Sequence, residues 1–206
     1  MTLARFARFD NFARVNRTIL SFALFLFCAC SVRGEETTQN QNSDSSALAV
    51  PKFDEKIIDA HKQAYGMSCI PSSVEMVLKL LGRVPASYYR QQDAWKNKAD
   101  GNFSNFDGKT VEGITFHKQF GLDRNDKFPL ARLFATIDAE LAAGRFVIIS
   151  LASSGGWHMY LIYAKDADGD FLAVSKVGEK TVKTDHVKQI VTKMKGTDIL
   201  TYEVTR

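Results

Sequence analysis

Cysteine is scarce in this chain: there are 3 in 206 residues, and two of them, Cys28 and Cys30, fall within the first thirty. The rest holds Cys69 alone, which excludes a disulfide framework and any thiolate-rich zinc site. Nor is there strong charge of one sign. The formal net charge is +4, and four arginines (Arg5, Arg8, Arg14, Arg17) against Asp10 in residues 1–30 supply three of those charges. The other 176 residues carry +1, so a basic nucleic-acid surface loses its compositional support and no nucleic-acid partner is expected. A long hydrophobic run is also absent. The apolar block Thr18–Ala29 would make ~18 Å of helix, short of a ~30 Å hydrocarbon core. No repeat, second linker or low-complexity tract interrupts residues 51–206. With 45% hydrophobic and 24% charged residues, the composition is that of a soluble globular domain.

What the first thirty residues do hold is an Arg-rich stretch followed by that short apolar block, the pattern of a secretory signal peptide. The chain is expected to be exported, to a periplasmic or extracellular destination. Phe27-Cys28-Ala29-Cys30 resembles the lipobox of bacterial lipoproteins, with Ala29 as the small residue and Phe27 and Cys28 departing from the pattern. That resemblance implies a diacylated Cys30 and a membrane tether; ordinary cleavage nearby would release the protein instead. Residues 31–50 are rich in Ser, Thr, Asn, Gln and acids and lack aromatics, so they cannot offset their ordering entropy and read as a flexible spacer.

Residues 51–206 are enough for one core, burying roughly 70% of the unfolded chain's surface. Val74, Val77, Leu78 and Leu81 recur at i, i+3, i+4, i+7 and predict a helix over Pro71–Leu81, closed by Gly82. A second is expected over 130–143, closed by Gly144. Short helices and loops are expected between them, over residues 84–129. The C-terminal half changes period, with strands predicted at 146–151, 158–164, 170–175 and 199–204 and a short helix at 185–195 followed by Gly196. Helices first and a mostly antiparallel sheet afterwards make an α+β domain.

Three residues carry candidate chemistry. Cys69 sits at the start of the 71–81 helix, where unpaired N–H groups and the helix dipole favour the nucleophilic thiolate. The bland alternative is a small buried hydrophobe. Gln63 lies six residues before it, where its amide is a candidate donor to a developing oxyanion. His158 opens an apolar strand after the turn Ser153-Ser-Gly-Gly-Trp157 and is the candidate base, against the alternative of a satisfied strand-end histidine. His61, His117 and His186 are weaker candidates.

Gln63…Ser68-Cys69-Ile-Pro-Ser-Ser-Val-Glu-Met-Val-Leu-Lys-Leu-Leu-Gly82 resembles the N-terminal motif of papain-like peptidases related to bacteriocin-leader-processing enzymes. Gly144-Arg-Phe-Val-Ile-Ile-Ser150, followed by Trp157-His158 and an apolar strand, resembles their second motif, and the resemblance runs over roughly residues 57–204. It implies a papain-like fold, an N-terminal helical lobe on a mostly antiparallel sheet. It also implies a cysteine peptidase with nucleophile Cys69, base His158 and oxyanion donor Gln63, a peptide or protein substrate, and no cofactor or metal. Two departures stand out. Ile70 replaces the usual Gly, and the position of the residue that orients the histidine falls on Ser175, which brings no negative charge. Two alternatives follow: deamidation or acyl transfer on the same scaffold, or a binding module without turnover.

Other features read more plainly. Asp166-Ala-Asp168-Gly169-Asp170 lacks the Gly and Glu positions of a calcium-binding EF-hand loop and reads as a hairpin turn. Asn102-Phe-Ser104 matches a glycosylation acceptor, a pattern common by chance. Tyr88, Tyr89 and Trp95 are expected to pack.

Overall fold

A computed structural model describes residues 52–98, 101–153 and 156–205. The segments read as signal (1–30) and spacer (31–50), including Cys30, lie outside the described residues. The helix expected over 71–81 is α2, Cys69–Leu80, and Val74, Val77 and Leu78 are fully buried along it. It begins two residues before the expected start, so Cys69 is the first helical residue and Pro71 falls in the first turn. Proline is tolerated there because first-turn N–H groups have no intrahelical acceptor. At the other end the Gly82 N–H donates to Lys79 O and the Arg83 N–H to Leu78 O, a Schellman closure that needs the left-handed φ of +64° at Gly82.

A helix the sequence did not announce precedes it. This is α1, Glu55–Ala60, started by the Asp54 carboxylate accepting from the Lys56 N–H. Residues 84–129 hold α3 (Arg90–Asp93), a 3-10 turn (Phe103–Asn105), and two strands where only helices and loops were expected, β1 (Thr110–Val111) and β2 (Ile114–Lys118). From there the order is α4 (Leu130–Ala142), β3 (Val147–Ser153), β4 (Gly156–Lys165), β5 (Phe171–Val177), β6 (Lys180–Thr184), α5 (Val187–Lys193) and β7 (Ile199–Val204). Of these, β6 was not anticipated. Gly196 does not close α5. Lys195 takes the left-handed turn at φ +56°, while Gly196 lies under the Phe128 ring, where a Cβ would come within 2.2 Å.

The seven strands form one sheet in the order β1-β2-β7-β3-β4-β5-β6, with every pairing antiparallel. The α+β class is therefore as expected. Side chains alternate across the strands, and each face builds its own core. Ile148, Met159, Leu161, Val174 and Leu200 pack with Ile58, Ile70, Val74 and Leu78 of α1 and α2. Ile149, Tyr160, Ile162 and Ala173 pack with Leu133, Ile137, Val187 and Val191 of α4 and α5. The N-terminal helices cover one face, as expected. The later helices cover the other, so the sheet is flanked on both sides.

Candidate active site

The site lies where β4 and β5 part. Their ladder runs from Leu161 opposite Val174 to Lys165 opposite Phe171. Toward His158, side chains take over the backbone groups. The Ser175 hydroxyl donates to Met159 O at 2.5 Å, and His158 Nε2 lies 3.1 Å from Lys176 O. The backbone N–H groups of Met159, of Cys69 itself and of Ile70 at the start of α2 each favour the thiolate form of Cys69.

Cys69 is half-buried against the α2 core. Burial pushes its thiol up from the ordinary value, and the three N–H groups pull it back without reversing the direction. The helix terminus acts as foreseen, but packing against β4 withdraws more solvation than it returns.

His158 is the third residue of β4, opposite Leu151, and not its opening residue. Residues 154–155 of the turn before it lie outside the described residues. A carbonyl only accepts, so the Nε2 facing Lys176 O carries the ring hydrogen and Nδ1 keeps the lone pair. Burial lowers the imidazole's pKa and the Lys176 carbonyl raises it, with burial prevailing. Ser175 spends its hydroxyl on Met159 O. The ring stands edge-on to Tyr160, at 5.7 Å between centroids. Cys69 packs in the core on the α2 side of β4, with Met159, while the His158 ring stands beside Tyr160, and no hydrogen bond joins thiol and imidazole.

Gln63 is held away from a free-donor role. Its amide Nε2 donates to Tyr65 O at 2.9 Å and Gly66 O at 2.8 Å, while its Oε1 is buried without a partner. Its backbone N–H donates to Gly178 O, tying the loop to the turn between β5 and β6.

Sequence reasoning missed the network beneath that loop. Gln92, fully buried, accepts from the Ala64 N–H and Ser68 Oγ and donates to Lys62 O and Glu75 Oε2. Glu75, also fully buried, accepts from the N–H groups of Gln91 and Gln92. Beside it, His61 contacts Ser72 Oγ through Nε2 at 3.0 Å and receives the Lys79 ammonium at Nδ1 at 2.9 Å. Burial, then Lys79, lowers His61 to about 3. Burial lowers Lys79 to about 8 against the pull of Glu75. Tyr89 stacks on His61 and lies under the Lys79 ammonium. The available signal was a polar stripe, Ser68, Ser72, Glu75 and Lys79, spaced four, three and four residues apart, on a helix whose other positions, Ser73 apart, are apolar.

On the α2 face, a pocket of about 620 Å³ opens beside Met159, with Ser150 and Trp157 also lining it. A smaller one, about 440 Å³, lies beside Gln63, Tyr65 and Tyr89. Large apolar side chains left exposed gather here too. Met67 is two residues before Cys69, Trp157 is one before His158, Val177 follows Lys176, and Leu122 lines the larger pocket.

The remaining motifs fall where expected. Asp166 accepts from the N–H groups of Asp168 and Asp170 inside the β4–β5 hairpin, and Asp170 accepts from the Lys188 N–H in the first turn of α5. Asn102 caps the 3-10 turn through the Ser104 N–H. Tyr88 and Trp95 are buried. Among the described residues no group of three or more His, Cys, Asp or Glu could hold a metal ion, and no helix is long and apolar enough to cross a membrane. No family model, curated protein or solved structure matches the chain.

Proposed function

We propose that this domain is an exported cysteine peptidase of papain-like fold, acting on a peptide or protein, with Cys30 as an optional lipid tether. One observation carries the reading. The only thiol among the described residues opens α2, the helix that packs on β4, and β4 carries a histidine whose Nε2–H is committed to Lys176 O, which leaves Nδ1 as a lone-pair acceptor.

The resting pair is a neutral thiol and a neutral imidazole. The Cys69 proton passes to His158 Nδ1 as sulfur bonds to the scissile carbonyl carbon, and the carbonyl oxygen becomes an oxyanion. The Cys69 N–H is one donor to it. Gln63 joins by exchanging the Tyr65 and Gly66 carbonyls for the substrate oxygen. As the tetrahedral adduct collapses, the C–N bond breaks and the amine leaves with the proton from His158. Water, deprotonated by the same nitrogen, then hydrolyses the thioester and returns the proton to sulfur.

Wild type and Cys69→Ala, incubated with a peptide library and read by mass spectrometry, test this. New N-termini from wild type only, and a peptide aldehyde adduct on Cys69, are expected. Neither appearing from mildly acidic to alkaline pH overturns the proposal.

The missing hydrogen bond between Cys69 and His158 favours a second reading, a binding module that uses the same cleft without turnover. Equal peptide binding by wild type and Cys69→Ala, with no cleavage by either, selects it.

A further inference from the structure

The pocket beside Met159 has a polar feature that cleavage chemistry does not use. The Arg124 guanidinium sits over the Trp157 indole, its carbon 3.5 Å from the ring centroid, at the pocket wall. Trp157 is 49% exposed, so this stack faces the open cavity and not the core. The other charges have local assignments. Asp198 accepts from the N–H groups of Phe120, Gly121 and Ile199 and pairs with Lys118 at 3.5 Å, and Lys118 also donates to Ser104 Oγ. Arg124 has no ion pair with a described residue. Stacking holds the guanidinium plane while leaving its edge donors in a fork that matches a carboxylate. Asp123, exposed at the rim, brings the formal charge of the described lining to zero, so any preference for an anion comes from directed pairing at Arg124 and not from the general field.

We propose that this pocket is a specificity subsite for an acidic side chain of the substrate, with the carboxylate paired to Arg124 and its aliphatic stem lying against Trp157 and Met159. This rests on the reading that a peptide crosses Cys69: Met159 lines the pocket and belongs to the same packed cluster as Cys69. Ser150, on the floor opposite Met159, adds a hydroxyl beside the stem.

The experiment uses the full chain carrying Cys69→Ser, so that binding is separated from turnover. The probes are blocked pentapeptides with one Glu moved through the five positions, each against its Gln isostere. The chain has two tryptophans, and Trp95 is buried at 4% exposure, so the ligand-dependent change in emission reports Trp157. At one position Glu is expected to bind on the order of tenfold more tightly than Gln, the usual worth of a charge-assisted hydrogen bond. Arg124→Gln should bring that ratio to about one, and Asp123→Asn should tighten Glu binding by removing a like charge.

Glu and Gln binding alike at every position, or a Glu preference that survives Arg124→Gln, overturns the subsite. The two readings fail separately. Cleavage by wild type with no dependence on Arg124 or on an acidic residue leaves the peptidase and removes the subsite. Glu-selective, Arg124-dependent binding without any cleavage by wild type keeps the subsite and removes the peptidase.

Discussion

The His158 ring donates from Nε2 to the backbone carbonyl of Lys176, 3.1 Å away on the neighbouring strand. Ring orientation and tautomer are thereby set by main chain. A carbonyl supplies direction but no negative charge, so it orders the imidazole without favouring imidazolium. Burial of both groups points the same way: thiol up, imidazole down.

The Ser175 hydroxyl serves Met159 O, so Ser175→Ala should leave the histidine in place. We expect a loss of about 1 kcal/mol in stability from one buried hydrogen bond. The Nε2–H tautomer of His158 should persist in nitrogen-15 spectra of the variant. A switch to Nδ1–H would show that the serine, and not the carbonyl, orders the ring.

The raised thiol pKa fixes the sign of a reactivity profile. Burial penalises the thiolate, so the fraction of reactive sulfur at neutral pH is smaller than in a free cysteine. Alkylation of Cys69 by iodoacetamide should be slower at pH 7 than that of a model thiol and should still climb above about pH 9, past the free-thiol value of roughly 8.5. An early plateau in the acid range would instead report a preformed thiolate–imidazolium pair.

The Gln92 amide makes the most side-chain bonds to the loop from Lys62 to Ser68, reaching Lys62, Ala64 and Ser68 as well as Glu75. Gln92→Leu strips those partners and leaves the Glu75 carboxylate buried with fewer donors. A stability loss of roughly 2–4 kcal/mol in denaturant unfolding is expected. Amide exchange at Ala64, which donates to the Gln92 side chain, should accelerate beyond the global change. Protection that falls uniformly across the domain would show that the loop is held by other contacts.

Which parts could be read from sequence follows from how local their causes are. Helices α2 and α4 and strands β3, β4, β5 and β7 each bury a periodic or continuous apolar run, and glycines mark their ends. By contrast α1 has six residues and β1 two, too few for a period, and β6 reads Lys-Thr-Val-Lys-Thr, an edge strand with no apolar run. At the site, Gln63 lies in the loop before α2, Cys69 at the first position of α2 and His158 near the start of β4, all places that local sequence marks. The partners of Gln92 lie 17 to 30 residues away in sequence, beyond any local pattern. The direction of the Cys69 shift was equally hidden, because the desolvation comes from β4, ninety residues downstream.

His61 gives the sharpest pH prediction. It is 2% exposed, and its pKa falls from 6.5 to about 3, first through burial and then through the Lys79 ammonium at its Nδ1. Below pH 6.5 the unfolded chain binds a proton that the folded one refuses, so stability rises with pH across this window. The contribution is fully present above pH 6.5 and is lost as pH falls toward 3, at most about 5 kcal/mol for that shift. Carboxylates share the lower part of the range and His158, also depressed, shares the upper part, so the comparison is between wild type and His61→Asn. The variant should be less stable at neutral pH, having lost its bond to Ser72 or its acceptor for Lys79. Its stability should then change less steeply between about pH 6.5 and 5, where the model carboxylates are still mostly ionised. Parallel stability–pH curves for the two proteins would mean that His61 does not resist protonation in the fold.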